Sequence, residues 1–317
     1  MPRLAGVNRA LPRGQLLRQD GAMETLSSKP APVIIGGGIV GLCIAWHLAR
    51  RGLKPLVLEA AKEGAAYTGN AGAISHGSVA PLAMPGVLAQ VPKMLMDPGG
   101  ALHIPARYWL RAMPWLLRFV ASARREKVES AAVALSALLF SAPDRHREIL
   151  AAEGASDLIR EEGQMYLYRN EEQLAKDNAS LALRQKHGLK VQKLVGPALR
   201  ELEPEVSEDY QIGLYLPDHG SCVNPARLAA VVANGVRRMG GEIRTAEVQA
   251  ILTEGKRVVG VRCAGEDIPA DQVVLAAGAW SARLLAPLGL KVPLETQRGY
   301  HVMLPDAGVR VGRVLSP

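Results

Sequence analysis

Three glycines, Gly36, Gly38 and Gly41, stand in G-x-G-x-x-G spacing inside the run Val33 to Glu59, and an acid closes that run 23 positions after the first of them. Each residue type has a chemical reason. The first glycine makes a tight turn, the second lets a pyrophosphate approach bare backbone, and the third lets a helix pack close on a strand. Amides at the helix start, here Ile39 and Val40, then turn free N–H groups and partial positive charge toward the phosphates. An acid at the distance of Glu59 suits a ribose hydroxyl and disfavours a 2′-phosphate. The chemistry is dinucleotide binding. The spacing alone is weak, because a glycine-rich turn with an unrelated surface Glu also produces it. Its context is what strengthens it.

Other residues could carry chemistry. Thr68 to Ser75 (TGNAGAIS) is small and polar, so its backbone can run against a flat ligand, with Asn70 and Ser75 supplying hydrogen-bonding groups. By composition alone it is equally a flexible loop. Arg298, Tyr300 and His301 lie on a predicted strand, where alternation puts Arg298 and Tyr300 on one face. An Arg beside a phenol could hold a carboxylate; an ordinary pair on a sheet edge fits as well. His47 and Cys43 share a helix with apolar neighbours and read as packing residues. The three cysteines (Cys43, Cys222, Cys263) form no CxxC, and the seven histidines have no metal-ligand spacing, so neither disulfides nor a metal is expected.

The elements that position these groups follow in order. Pro32–Ile35 reads as a buried strand, Val40–Arg51 as a helix stopped by Arg-Gly, and Lys54–Leu58 as a second strand. That is β-turn-α-β within about 30 residues, the size such a unit takes. Ala31 to Ala49 carries no charge over nineteen residues, but Gly36-Gly37-Gly38 inside it punctuates a turn and excludes a membrane span. Residues 64–81 read as a loop and 83–150 as helical. Gly163–Arg169 and Ile212–Leu216 are predicted strands, and Glu171–His187 a helix. A helix over Asn224–Met239 opens on Asn-Pro, a good cap. Short strands follow at Glu242–Ile243, Val248–Leu252, Val258–Cys263 and Gln272–Ala276. Gly278 and Ala279 lead into a helix over Trp280–Leu288, and Glu295–Leu304 is a final strand.

The chain has 317 residues, 48% of them hydrophobic, which suits a globular α/β protein of two domains. Aromatics are only 4%, too few to stack bases along a strand, so no nucleic-acid partner is expected. The net charge of +8 comes almost wholly from residues 1–30 and 101–130. The first 30 residues lack the apolar core of a secretory signal; a transit peptide and an over-extended start, with Met23 as the true one, both fit. His103–Arg125 mixes arginines with Tyr108, Trp109, Trp115 and Phe119. It could lie on a membrane surface and pass electrons to a quinone or carrier. The favoured reading is a helix burying its aromatics, with Pro105 and Pro114 interrupting any long amphipathic stretch. A cytoplasmic protein, at most peripheral to the inner face of a membrane, is expected.

Several segments taken together resemble the D-amino-acid oxidase-like flavoproteins, and within them the bacterial D-amino acid dehydrogenases. They are VIIGGGIVGLCIAWHLARRGLKPLVLEA, TGNAGAISHGSVAPLAMPG, YLPDHGSCVNPARLA, VVLAAGAWS and PLETQRGYH. The first is common to many flavoproteins; the ordered set, from about Pro32 to Leu304, is far more specific. The resemblance implies FAD as the cofactor. Gly36, Gly38 and Gly41 would then hold its pyrophosphate and Glu59 the adenosine ribose. Thr68, Asn70, Ala71 and Gly72 would run along the pyrophosphate toward the flavin. Val248 would meet the adenine through its backbone, and Ala277-Gly278, with Trp280 beside them, would form a second close approach.

The fold implied is α/β (α+β). It joins a Rossmann-like FAD-binding domain (31–90 and 220–288) to an interleaved substrate domain (91–219 and 289–317) on a mixed or antiparallel sheet with helices, behind a disordered basic tail (1–30). The reaction implied is oxidation of a small amino acid, in which hydride leaves Cα for flavin N5 and the imine hydrolyses to a 2-oxo acid and ammonia. A bidentate Arg would pair the carboxylate, placing Arg298, Tyr300 and His301 at the reacting end. Oxidation of sarcosine, glycine or hydroxyproline is the sister activity. A non-catalytic subunit completed by a second chain, and an NAD-dependent dehydrogenase, are the competing classes. Oligomeric state is left open. Family members continue beyond the RGYH-like strand and return to the flavin. Nothing here matches that segment, so the expectation is a truncated or split gene product with an exposed sheet edge that binds FAD weakly or not at all in a stable form.

Overall fold

The first sheet grows from the two most apolar short runs in the chain. Val33-Ile34-Ile35 (β1) and Leu56–Glu59 (β2) lie parallel, with Glu242–Thr245 (β9) beside β2 and Val273–Leu275 (β13) beside β1. In the computed structural model, which describes residues 31–60, 66–86, 104–294, 296, 299–304 and 306–317, residues 31–317 form one compact unit. β1 is central and covered on both faces, which is why all three of its residues are apolar and fully buried.

Alternation sorts that sheet's side chains. Ile34 and Val57 point to one face, against Leu42, Ala45 and Trp46 of the helix Ile39–Arg50 (α1) and against the helix Pro225–Arg238 (α7). Val33, Ile35, Leu56 and Leu58 point to the other, against an antiparallel meander of Val248–Glu254 (β10), Arg257–Cys263 (β11) and Glu266–Pro269 (β12). The expected cap on α7 is present: Asn224 Oδ1 accepts from Arg227 N at 2.9 Å, with Pro225 as the first helical residue.

The second large sheet is mixed. Gln164–Tyr168 (β5) and Ile212–Leu216 (β7) pair antiparallel, Gln192–Val195 (β6) adds beyond β7, and Val314–Ser316 (β14) lies parallel on the far edge of β5. Between the two large sheets in the chain path sits a small one, with Ala73–Ile74 (β3) and Ile159–Arg160 (β4) on either side of Gly220–Cys222 (β8). Helices Trp109–Ser122 (α2), Arg125–Leu139 (α3), Ala142–Ala152 (α4), Glu171–Lys186 (α5), Pro197–Leu202 (α6) and Ser281–Leu285 (α8) complete the described elements. The Rossmann sheet and meander draw on 33–59 and 242–275, and the mixed sheet on 164–216 and 314–316. α4 crosses that division, since Ile149 and Leu150 lie in the core beneath α1.

Three expectations need correcting. Residues 299–304 are not a strand: they pair with nothing, and Tyr300, Val302, Met303 and Leu304 are 70–86% exposed. Alternation of residue types is only half of what a strand needs; the other half is a neighbouring strand, and residues 299–304 have none among the described residues. Pro114 does not interrupt α2 but lies within it. The carbonyl it orphans belongs to Leu110, which is 91% exposed, so water satisfies it. Nor does α2 bury its aromatics. None of its residues is fully buried, and Trp115 is half-exposed and stacked on Phe119. Among the described residues no helix is long and apolar enough to cross a membrane.

Candidate functional site

The loop between β1 and α1 is built by its glycines. Gly36 has φ +107°, and a methyl group there would lie 2.5 Å from the Ala276 carbonyl oxygen, so the turn after β1 is pressed against the turn after β13. A methyl on Gly41 would lie 1.9 Å from Gly36 O, so only glycine lets α1 start this close to the strand. Gly38 is different. Its conformation is ordinary (φ −66°) and a methyl there would meet nothing within 4 Å. Gly38 also caps α1 without any side-chain hydrogen bond, and no acid stands in the first turn. Among the described residues, the helix therefore presents unpartnered amides at Ile39 and Val40 beside open space, the arrangement that receives a phosphate.

Other groups converge on this opening. Glu59, at the end of β2, accepts from Gly37 N–H. Ala277 and Gly278 follow β13, and Gly278 takes the left-handed conformation (φ +53°) with free space where a side chain would be. Ala276 N donates to Ile35 O at 2.8 Å, which ties this second turn to the first. Trp280 is half-exposed at the end of the short helical turn that follows. Val248 begins β10 with its side chain in the core beneath β1 and β2, so the backbone is what it has to offer.

The polar loop folds on itself. Asn70 Oδ1 accepts from Gly72 N at 2.8 Å and Asn70 Nδ2 donates to Tyr67 O at 3.2 Å, so this side chain shapes the loop. Gly72 is left-handed (φ +68°), and a methyl on it would lie 2.1 Å from Cys222 O. Cys222 N returns a 2.7 Å bond to Gly72 O, clamping the loop to β8. Thr68 and Ala71 lie in the same turn. Ser75 does not point to open space either: its Oγ bonds Ser78 Oγ at 2.9 Å and lies 3.3 Å from His219 Nε2.

Of the three residues expected at the reacting end, Arg298 lies outside the described residues and Tyr300 is 86% exposed. His301 does reach the site, its imidazole packed against Gly69, where a methyl would fall 2.3 Å from His301 Cε1. Cys43 behaves as packing, with burial pushing its thiol up to about 11. Among the described residues no group of acids, cysteines and histidines could hold a metal.

The residue that sequence reasoning passed over is His219, one of three buried polar side chains among the described residues. It forms one wall of a cleft of about 510 Å³ shared with Ile74, His76, Phe140, Lys190 and Asp218. Burial, reinforced by neighbouring His76 and Arg184 and opposed by Asp218, pushes its imidazole down to about 4. The run Asp218-His219-Gly220 reads in sequence as a polar turn, and no periodicity marks its histidine as buried.

Comparison with known proteins agrees with this geometry. The sequence model of the DAO family, described as FAD dependent oxidoreductase, matches residues 33–315. A D-amino-acid oxidase of Bradyrhizobium diazoefficiens is 36% identical over 283 residues, covering 87% of this chain and 67% of that protein. D-amino acid dehydrogenase 2 of Ralstonia nicotianae is 32% identical, covering 86% and 66%. Among solved structures, glycine oxidase from Bacillus cereus superposes with a TM-score of 0.55 at 23% identity, over 82% of this chain and 58% of that one. L-proline dehydrogenase from P. horikoshii superposes at 0.54 and 19%, over 83% and 56%. At those identities the structures speak for the fold alone. The chain spans about two thirds of the length of its sequence relatives and less than three fifths of these structural neighbours.

Proposed function

From the premise that the chain belongs to the DAO family of FAD-dependent oxidoreductases, we propose that it oxidises the Cα–N bond of a small amino acid of D configuration. FAD, when bound, supplies the oxidising power by accepting a hydride from Cα. The imine left behind takes up water and releases a 2-oxo acid and ammonia. The chain's own residues bind and orient. Gly36, Gly38 and Gly41 with the amides of Ile39 and Val40 form the phosphate cradle, and Glu59 stands where a ribose hydroxyl would be held. Thr68, Asn70, Ala71 and Gly72 carry the path away from it, while Val248, Ala277, Gly278 and Trp280 flank it. Arg298 and Tyr300 are proposed to pair the substrate carboxylate, with His301 at the cofactor turn.

The observation that carries this reading is the open, uncapped start of α1 at Gly38, walled by Glu59 and by the Ala277-Gly278 turn. Anaerobic addition of D-alanine to the FAD-loaded protein tests it. Bleaching of the visible flavin band by D-alanine and not L-alanine supports the reading. Bleaching by sarcosine or glycine alone moves it to the sister activity, and bleaching by L-alanine alone contradicts it.

A second surface belongs to the same proposal. α2 exposes Leu110, Met113 and Leu117, one stripe at helical spacing, beside Arg111 and Arg118. No acid occurs between Ile104 and Arg125. We infer that this stripe rests on an anionic membrane surface, where an electron acceptor dissolved in the lipid would be at hand.

A further inference from the structure

His219 Nε2 lies 3.3 Å from two groups, the Ser75 hydroxyl, which can donate or accept, and the Gly77 amide. Gly77 N lies 3.3 Å from its Nε2, and a backbone amide can only donate, so Nε2 must carry the lone pair. The proton is then on Nδ1, which donates to Gln164 Oε1 at 3.1 Å. Gln164 Nε2 donates in turn to Ser316 Oγ at 3.2 Å. His219, Gln164 and Gly77 are all buried, so water cannot replace these bonds. Gly77 fits nothing larger: a methyl there would lie 2.8 Å from His219 Nε2 and 2.4 Å from Leu189 Cδ1.

The chain connects this bond to the cofactor turn. Residues 70–78 touch β8 and its approach at three successive points. Gly72 exchanges contacts with Cys222, β3 pairs with Ser221 and Gly220, and Gly77 bonds His219. The first two are backbone interactions, indifferent to side-chain identity. The third depends on one imidazole in one tautomer. It ties Ser75–Ser78 to the mixed sheet between the paired strand β3 and Val79, which is buried with Val128, Ala132 and Leu183.

We propose that His219 is a positioning residue for the cofactor site. By accepting from Gly77 and donating to Gln164, it fixes the segment Ser75–Ser78 to β5, and so holds the turn Asn70–Ile74 in its cofactor-facing form. The proposal rests on the FAD reading above for what the turn faces, and on the described hydrogen bonds for how it is held.

Two substitutions separate the arms of the imidazole. In His219→Gln the amide oxygen reaches the position of Nε2 and can accept from Gly77. In His219→Asn the shorter amide can serve Gln164 but cannot reach Gly77. Hydrogen exchange of residues 73–80 and the Kd for FAD, both on the full chain, are the readouts. Expected are exchange at least tenfold faster and an FAD Kd at least tenfold higher in H219N, with both largely restored in H219Q. The 15N shifts of the wild-type ring should report a neutral imidazole protonated at Nδ1. Gln164→Leu, which frees Nδ1 while keeping the imidazole, should give an intermediate loosening and carries the test if H219N does not fold. Unchanged exchange at 73–80 in H219N or Q164L, or a ring protonated at Nε2, overturns the proposal. If the wild type binds no FAD, the cofactor reading fails, and the exchange data still decide whether His219 holds the loop.

Discussion

Gly38 and Gly41 stand three residues apart and answer to different partners. Gly41 is required by the protein, since its Cα faces a carbonyl 1.9 Å from where a methyl would sit. Gly41→Ala should cost about 1–3 kcal/mol or more through overpacking, seen as a lowered urea midpoint. Gly38 answers to a ligand in this account, because among the described residues, its chain neighbours aside, nothing lies within 4 Å of an added methyl. Gly38→Ala should leave the urea midpoint within about 0.5 kcal/mol of wild type while raising the FAD Kd at least tenfold. Equal loss of stability in both variants would contradict this division. His219 adds a pH signature. Its imidazole is held neutral down to about 4, against 6.5 for the ordinary side chain, with His76, Arg184 and Asp218 the charged or titratable groups facing it. The unfolded chain therefore binds the proton at higher pH than the native one, and stability rises with pH between them. The contribution is complete above about pH 6.5 and is lost as pH falls toward about 4. Urea midpoints of wild type and H219Q measured across that window should converge on acidification, and parallel profiles would contradict the assignment.

At the scale of elements, β14 is held by more than its ladder. Glu203, buried at 2% exposure, accepts from Gly312 N and from Arg313 Nε at 3.1 Å, and Arg313 spends its remaining donors on the Glu162 and Leu202 carbonyls. Glu203→Ala leaves that guanidinium buried and uncompensated, a loss of about 3–5 kcal/mol. Residues 312–316 should then exchange amide hydrogens faster than the rest of the mixed sheet. This anchor was not legible in the sequence. Val309–Ser316 carries no periodicity, and the acid that fixes it lies more than a hundred residues earlier. The same holds for β6, where only Leu194 is buried, and for the two-residue strands β3 and β4. What was legible is what local pattern dictates: β1, α1, β2, the Asn-Pro start of α7 and the Val-rich meander. The glycine positions of the cradle were legible for the same reason, since the spacing encodes a backbone shape. The predicted strand failed over its described residues 299–304, because alternation records what a face could bury and says nothing of whether the segment finds a partner strand.

Over the whole molecule, β8 gathers β3 and β4, which lie about 147 and 61 residues before it in sequence, into a small sheet of its own beside the two large ones. That small sheet is where the polar loop, His219 and the cleft meet, and no single stretch of sequence contains it. The α2 surface makes a prediction at the same scale. The protein should sediment with vesicles containing phosphatidylglycerol and not with pure phosphatidylcholine, the binding weakening with salt. Replacing Leu110 and Leu117 together by Ser should lower that binding about tenfold or more, since each contributes buried apolar area. Binding that ignores lipid charge, or survives the double substitution, would remove α2 from the account. The central claim is that the β1–α1–β2 cradle holds the ADP half of FAD. It is tested most directly by titrating FAD into the protein and competing it off. FAD should bind, ADP should displace it, FMN should not, and Gly38→Ala should weaken the binding at least tenfold. Binding of FMN as tight as that of FAD, or FAD binding untouched by both ADP and the Gly38 substitution, would contradict it.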